Sequence, residues 1–274
     1  MLPVNLISQE TTITDTDKVL LNNYFNYISA CKADAIEDVL EQTALFFQGA
    51  PYVANTLDQN KEESLVVNLK EMDCVTFVEN VLALSLSTYN DSLSEEYFLR
   101  KLTEIRYRNK MIKDYSSRLH YTSDWIFENQ KNSLLENISP QLGGKKETKQ
   151  INFMSSHQNA YKQLANNDAM LGKISQTEKI INDRGGFYYL PKDLIEAKAK
   201  DIPHMAVIGI VTAIKGLDTS HIGFAYQKNG ILTFLHASSI KEEVVIDDKT
   251  LSEYCLSQKN CKGVIVARVN DKHN

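Results

Sequence analysis

The chain of 274 residues carries 30 Lys plus Arg against 35 Asp plus Glu, a formal net charge of −5 at pH 7. That mild acidity gives no reason to expect a nucleic-acid partner, and the short basic piece Arg106-Tyr107-Arg108-Asn109-Lys110 reads as a solvated helix face. No apolar run approaches the roughly 18 to 20 residues that cross a bilayer, and the length suits a single elaborate domain over 1–274 with a large core.

The first residues, Met1-Leu2-Pro3-Val4-Asn5-Leu6-Ile7-Ser8, lack the basic n-region and continuous apolar h-region of a signal peptide. They read either as the start of a cytoplasmic protein or as a chain whose leader is absent from this sequence. Cysteines at 31, 74, 255 and 261 are too few for a disulfide scaffold, although the polar stretch between Cys255 and Cys261 is short enough to let those two bridge. With no CxxC pair and no HExxH spacing, neither a metal site nor a cofactor is expected.

In chain order, Thr14-Asp15-Thr16-Asp17 opens a first helix, and a second runs from about Ala33 to Phe47 with Gly49 as its stop. Leu65 to Leu69 is a short apolar run. Asp73 then caps a helix from Cys74 to about Ser87 whose apolar stripe marks it as central. Another helix spans about Leu93 to Arg108. The segment Tyr115 to Trp125 has no clean period and reads as a loop. Its mixture of aromatic and hydrogen-bonding side chains suits either packing or the reading of a sugar. Residues 132–152 read as a polar surface loop, followed by helical material at His157 to Leu164 and Ser175 to Ile181. The last third turns to strands: Met205 to Thr212, a hairpin of 221–228 and 231–237 about Asn229-Gly230, Val244 to Ile246, and Gly263 to Val269. A helical part over about 14–190 thus precedes a mainly β part over about 200–270.

Cys74 lies at the first turn of its helix, where unpaired backbone N–H groups and the macrodipole favour thiolate. Packing in the core is the competing reading of a lone cysteine. The hairpin bears on the choice. A two-residue Asn229-Gly230 loop sets Lys228 opposite Ile231, Gly223 opposite His236 and His221 opposite Ser238. Alternation then puts His221, Gly223, Phe234, His236 and Ser238 on one face, with the two histidines on a diagonal of roughly 7 to 8 Å between Cα atoms. Gly223 leaves room for the rings to meet. One histidine to take a thiol proton and a second polar group to orient it is the pattern of cysteine nucleophilic catalysis.

Asp73-Cys74 opening a helix, Ser220-His221-Ile222-Gly223 opening a strand and Leu235-His236-Ala237-Ser238 on the next resemble the NlpC-type cysteine peptidases of bacterial cell-wall turnover. Longer strings, among them Pro51-Tyr52-Val53-Ala54-Asn55-Thr56-Leu57, Asp73 to Asn80, Ile105-Arg106-Tyr107-Arg108, Ser117 to Trp125 and Leu217 to His221, are similar to the N-acetylmuramoyl-L-alanine amidase-like branch. The likeness spans about residues 35 to 270.

This resemblance implies an α+β, papain-like fold with the nucleophile helix packed on an antiparallel sheet. It implies hydrolysis of the bond between N-acetylmuramic acid and L-alanine in muropeptides, with cleavage between γ-D-glutamate and the diamino acid as the alternative within the fold. Export to the periplasm or cell envelope is also implied. Cys74, His221 and His236 take the catalytic positions, with Tyr52 and Asp73 beside the nucleophile. Arg118, His120, Tyr121, Trp125, Ser220 and Ser238 are the expected substrate-binding residues. A glycan-binding protein on an inactive peptidase fold is the alternative of another class.

Overall fold

The computed structural model describes residues 11–33, 35–60, 62–89 and 92–270, and the segment read above for a leader, Met1 to Ser8, lies outside them. Strand β1 (Thr11–Thr12) leads into α1 (Asp15–Ala30), whose start is fixed by a capping box. The Thr14 hydroxyl accepts the Asp17 N–H at 3.1 Å, and the Asp17 carboxylate accepts the Thr14 N–H at 3.2 Å. α2 (Ile36–Phe46) ends before Gly49, which takes a φ of +83° as the expected stop does. β2 (Leu65–Val66) pairs in parallel with β1.

α3 (Cys74–Tyr89) is buried on every side from Thr76 to Ser87, more completely than a single apolar stripe requires. α2 and α4 (Glu95–Arg106) pack on it from one side, and the central strands of the sheet pack on it from the other. The basic piece at 106–110 is solvated only at Asn109 and Lys110. Arg106 is 2% exposed, its Nε bonds the Glu79 carboxylate of α3 at 2.6 Å, and its Nη1 bonds the Val66 carbonyl at 2.7 Å. Arg108 pairs with Asp124 and Glu128.

The segment expected as a loop contains α5 (Thr122–Lys131). Its signal is masked because both faces are occupied. Trp125 and Ile126 enter the main core, while Asp124 and Glu128 pair with arginines. The polar stretch that follows yields two short strands, β3 (Leu135–Asn137) and β4 (Lys145–Glu147). Next come α6 (Phe153–Ser156), α7 (Asp168–Asp183), β5 (Phe187–Pro191) and α8 (Ile195–Lys198). The chain closes with β6 (Val207–Thr212), β7 (Thr219–Lys228), β8 (Ile231–Ser238), β9 (Glu243–Thr250), α9 (Leu251–Ser257) and β10 (Cys261–Val269).

One antiparallel sheet runs β4-β5-β10-β6-β7-β8-β9, with β3 also on β10, so strands from the helical part and the β part share it. Asn229 and Gly230 take φ of +54° and +77°, the left-handed pair a two-residue hairpin loop needs, and Lys228 lies opposite Ile231. The β7–β8 register continues to Phe224 opposite Leu235 and its paired residues end there; the expected Gly223–His236 and His221–Ser238 pairs fall beyond it. Outside that point the two strands stay paired to their outer neighbours, β6 and β9. α3 covers one face of the sheet, where Phe77 meets Phe224 edge-on at 5.8 Å between centroids, and α8 and α9 cover the other.

Because Arg106 and Glu79 are both buried, leaving one without the other strands an uncompensated charge, at a cost of about 3–5 kcal/mol. Glu79→Leu is therefore expected to lower the unfolding free energy by about that amount in urea denaturation. A loss below ~1 kcal/mol would show the surface-pair behaviour expected of a solvated arginine.

Candidate active site

Asp73 holds the start of α3 by accepting the N–H groups of Val75 and Thr76 on one carboxylate oxygen at 3.1 and 2.8 Å, while its own N–H donates to the Thr76 hydroxyl at 2.9 Å. Cys74 follows at the first turn, partly exposed and packed against the main core. Its sulfur is approached by the backbone N–H of Ile222, the residue after His221, as well as by its own N–H and that of Val75. Cys74 and the histidine strand are thus in direct contact where the β7–β8 pairing ends.

The two histidines meet as their diagonal placement suggests. His221 Nε2 lies 2.6 Å from His236 Nδ1, with the rings perpendicular at 88° and centroids 4.8 Å apart. A Cβ on Gly223 would come within 2.7 Å of the Leu235 carbonyl and 2.8 Å of His236 Cβ, so only glycine allows this approach. Phe234 stacks on His236 at 4.5 Å, and Tyr254 of α9 closes on its edge at 5.4 Å. Both rings and Ser220 and Ser238 line a cavity of about 350 Å³. Asp247 of β9, which no motif or spacing singles out, also lines it and places Oδ2 3.5 Å from His236 Nε2.

The electrostatics differ from those expected of an exposed helix terminus. Burial, aided by the Asp73 carboxylate, pushes the Cys74 thiol up to about 12, against the pull of the three N–H groups. Burial lowers His221 to about 3, with His236 adding to the shift, and lowers His236 to about 4. The resting pair is a neutral thiol and a neutral imidazole. Tyr52 stands close by, and burial together with Cys74 and Asp73 raises its phenol above the ordinary range.

Four expected substrate-binding residues lie elsewhere. Arg118 bonds Asp58 at 2.8 Å and Glu63 at 2.7 and 2.9 Å, and His120 Nε2 is held at 2.7 Å by the Tyr115 carbonyl. Tyr121 donates to Glu178 at 2.7 Å and accepts the Met154 N–H at 2.9 Å, while Trp125 is 2% exposed in the main core. None of them lines the histidine cavity. For Arg118, His120 and Tyr121 the hydrogen-bond partners are internal, while Trp125 Nε1 is buried with none among the described residues.

Cys255 and Cys261 are free thiols in mutual hydrogen-bond contact. Among the described residues no group of three or more His, Cys, Asp or Glu is placed to hold a metal ion, and no helix is long and apolar enough to cross a membrane. A larger cavity of about 480 Å³ between α5, α7 and β5 contains neither histidine. Its polar walls are largely committed, Arg184 to Asp124 and Glu128, and Asn182 to the Ile151 backbone. The smaller cavity therefore marks the histidine side of the candidate site; Cys74, Asp73 and Tyr52 do not line it, and Cys74 is joined to it through its contact with the Ile222 N–H.

A family model described as N-acetylmuramoyl-L-alanine amidase-like matches residues 42–264. The chain belongs to that family. Among solved structures, an N-acetylmuramoyl-L-alanine amidase from Bacteroides uniformis is 35% identical, with a TM-score of 0.81 over 86% of this chain and 99% of that one. A Bacteroides fragilis structure described as a "putative xylanase" is 37% identical, with a TM-score of 0.78 over 82% of this chain and 99% of that one. A Legionella pneumophila protein, 23% identical with a TM-score of 0.70 over 93% of this chain and 94% of that one, shares the fold. No curated protein matches the chain.

Two pH effects follow from the neutral site. With the thiol raised to about 12, alkylation of Cys74 by iodoacetamide is expected to quicken about tenfold per pH unit through the alkaline range. A rate plateau across mildly acidic to neutral pH would instead reveal a preformed thiolate–imidazolium pair. His120, lowered to about 3 by burial, joins His221 and His236 in titrating below an ordinary histidine at 6.5. The unfolded chain therefore binds more protons than the fold between those values, and stability is lost as pH falls below 6.5. Urea midpoints at about pH 7 and 5 are expected to show that drop, and equal midpoints would contradict it.

Proposed function

We propose that the protein is a cysteine-dependent peptidoglycan amidase that hydrolyses the bond between the lactyl group of N-acetylmuramic acid and L-alanine in muropeptides. Membership in the amidase-like family and the likeness to the Bacteroides uniformis amidase support the substrate class. The observation that carries the chemistry is the bond between His221 Nε2 and His236 Nδ1. It commits one ring nitrogen of His221 and leaves Nδ1 to serve Cys74, whose sulfur is fixed beside the next residue, Ile222.

In this mechanism, His221 Nδ1 takes the Cys74 proton as the sulfur attacks the lactyl carbonyl, and His236 accepts the Nε2–H that keeps the ring in the required tautomer. Because both groups rest uncharged, transfer and attack proceed together. The oxyanion forms at the start of α3, within reach of the Cys74 N–H, with the Tyr52 hydroxyl as a second donor. When the tetrahedral adduct collapses, the C–N bond breaks and the imidazolium protonates the departing amine of L-alanine. Water, giving its proton to His221, then attacks the thioester and releases the muramyl carboxylate and the thiol. Ser220 and Ser238, which line the cavity, are the remaining substrate contacts of this proposal. The papain-like class of the arrangement and a location in the cell envelope, where the substrate is found, belong to the same reading.

A glycosidase reading, suggested by the xylanase relative, requires two carboxyl groups on opposite sides of a sugar bond. The carboxylates of this cavity, Asp247 and Asp248, are successive residues of one strand, and Asp248 is taken by Lys241 at 3.1 Å. The amide reading is therefore preferred.

Purified protein incubated with defined muropeptides, with products weighed by mass spectrometry, is expected to release the intact stem peptide from the sugar. Cys74→Ala is expected to lower turnover by at least ~10³-fold while the fold and ligand binding persist. Full turnover in that variant would end the cysteine mechanism. Fragments cut between γ-D-glutamate and the diamino acid would move the bond, and binding without any product would leave a glycan-binding protein.

A further inference from the structure

The bond between the two histidines fixes a proton inventory that extends one residue further. If His221 Nδ1 is to be free as a base, its proton sits on Nε2 and is donated to His236 Nδ1, 2.6 Å away. His236 must then carry its own proton on Nε2. That nitrogen is buried and has no hydrogen-bond partner among the described residues. The Asp247 carboxylate stands next to it, with Oδ2 at 3.5 Å, longer than a formed hydrogen bond but within ion-pair reach.

The approach is built into the sheet. β8 and β9 pair regularly through His236 opposite Val245 and Leu235 opposite Ile246, and the next pair is Thr233 opposite Thr250. One residue of β8, Phe234, thus faces three of β9, Asp247 to Lys249, and the two extra residues form a bulge there. Bulges beside active sites re-aim side chains. This one is pinned by Asp247 Oδ1 accepting the Lys249 N–H at 2.9 Å, which turns the other carboxylate oxygen toward His236. The ring itself is held by Phe234 on its face and Tyr254 at its edge, so neither partner is free to swing away.

We infer that Asp247 is a positioning residue that fixes His236 in the tautomer protonated at Nε2 and, through it, keeps the Nδ1 lone pair of His221 available to Cys74. This rests on the cysteine-amidase reading. The carboxylate does not take the proton. It favours one of two tautomers and stabilises the charge that reaches the histidine pair while Cys74 is deprotonated. Without it, His236 is free to protonate at Nδ1. His221 must then accept on Nε2 and carry its proton on Nδ1, which blocks the base.

Imidazole ¹⁵N NMR of the full chain at neutral pH reads this directly, since protonated and bare ring nitrogens differ in shift. His221 and His236 are both expected to be protonated at Nε2 in the wild type, and Asp247→Ala is expected to shift His236 toward Nδ1. In muropeptide turnover, Asp247→Ala and Asp247→Asn are expected to lower kcat at least ~10-fold with KM within about twofold, the pattern of an effect confined to the reacting groups. A wild-type His236 protonated at Nδ1, or an Asp247→Ala enzyme with unchanged kcat, overturns the assignment. Should the wild type release no product, the amidase reading fails while the NMR result still decides the role of Asp247.

Discussion

The contact on which the site depends is the 2.6 Å approach of two imidazoles on neighbouring strands. Side chains in a strand alternate faces, so a slip of one residue between β7 and β8 would send the histidines to opposite sides of the sheet. The register is held by the left-handed Asn229-Gly230 turn at one end of the hairpin. At the other end, the absence of a side chain on Gly223 lets the rings close, and the Phe234 and Tyr254 rings hold His236 in place. A turn, a missing side chain and an aromatic clamp thus serve one hydrogen bond.

Helix terminus and burial act on Cys74 in opposite directions, and their magnitudes decide between them. A helix dipole favours a charge by about 0.3–1 kcal/mol, rising to ~2 in partly buried settings. Removing an ion from water costs several kcal/mol. Burial prevails, and the thiol and both imidazoles rest uncharged. In the proposed mechanism the N–H groups at the start of α3 act instead on charge that arises during the reaction, when the carbonyl oxygen of a bound substrate becomes negative.

Local chemistry made part of this legible. The Asn-Gly turn, the Thr14 and Asp73 caps and the alternation of the hairpin depend on residues a few positions apart, and each appears in the structure. The helix α5 was hidden because its polar positions Asp124 and Glu128 are buried against half-buried arginines rather than facing solvent, so its sequence shows no simple wet side. Arg118 reads from sequence as a ligand-binding cation, but Glu63 and Asp58 that neutralise it lie more than fifty positions upstream. Asp247 was illegible for a related reason. Its approach to His236 depends on a bulge between β8 and β9 that no spacing within β9 announces.

The remaining question is how a cysteine on a helix is held in register with histidines about 150 positions later. The segment 49–53 supplies a backbone link. Gly49 donates to the Val244 carbonyl at 2.9 Å, Val244 donates to Ala50 at 2.9 Å, and Tyr52 donates to Glu242 at 2.8 Å, so one side of the segment is tied to the start of β9. On its other side Met72 donates to Pro51 at 3.1 Å and Val53 donates to Met72 at 3.2 Å, two residues before Cys74. Since β9 also pairs Val245 with His236, the chain of backbone bonds runs from Cys74 through 49–53 and β9 to the second histidine. Main-chain bonds of this kind do not depend on side-chain rotamers, so they fix the two ends more firmly than the packing of α3 alone. Tyr52, beside Cys74, rides on that same link, which gives its position the same precision as the groups it joins.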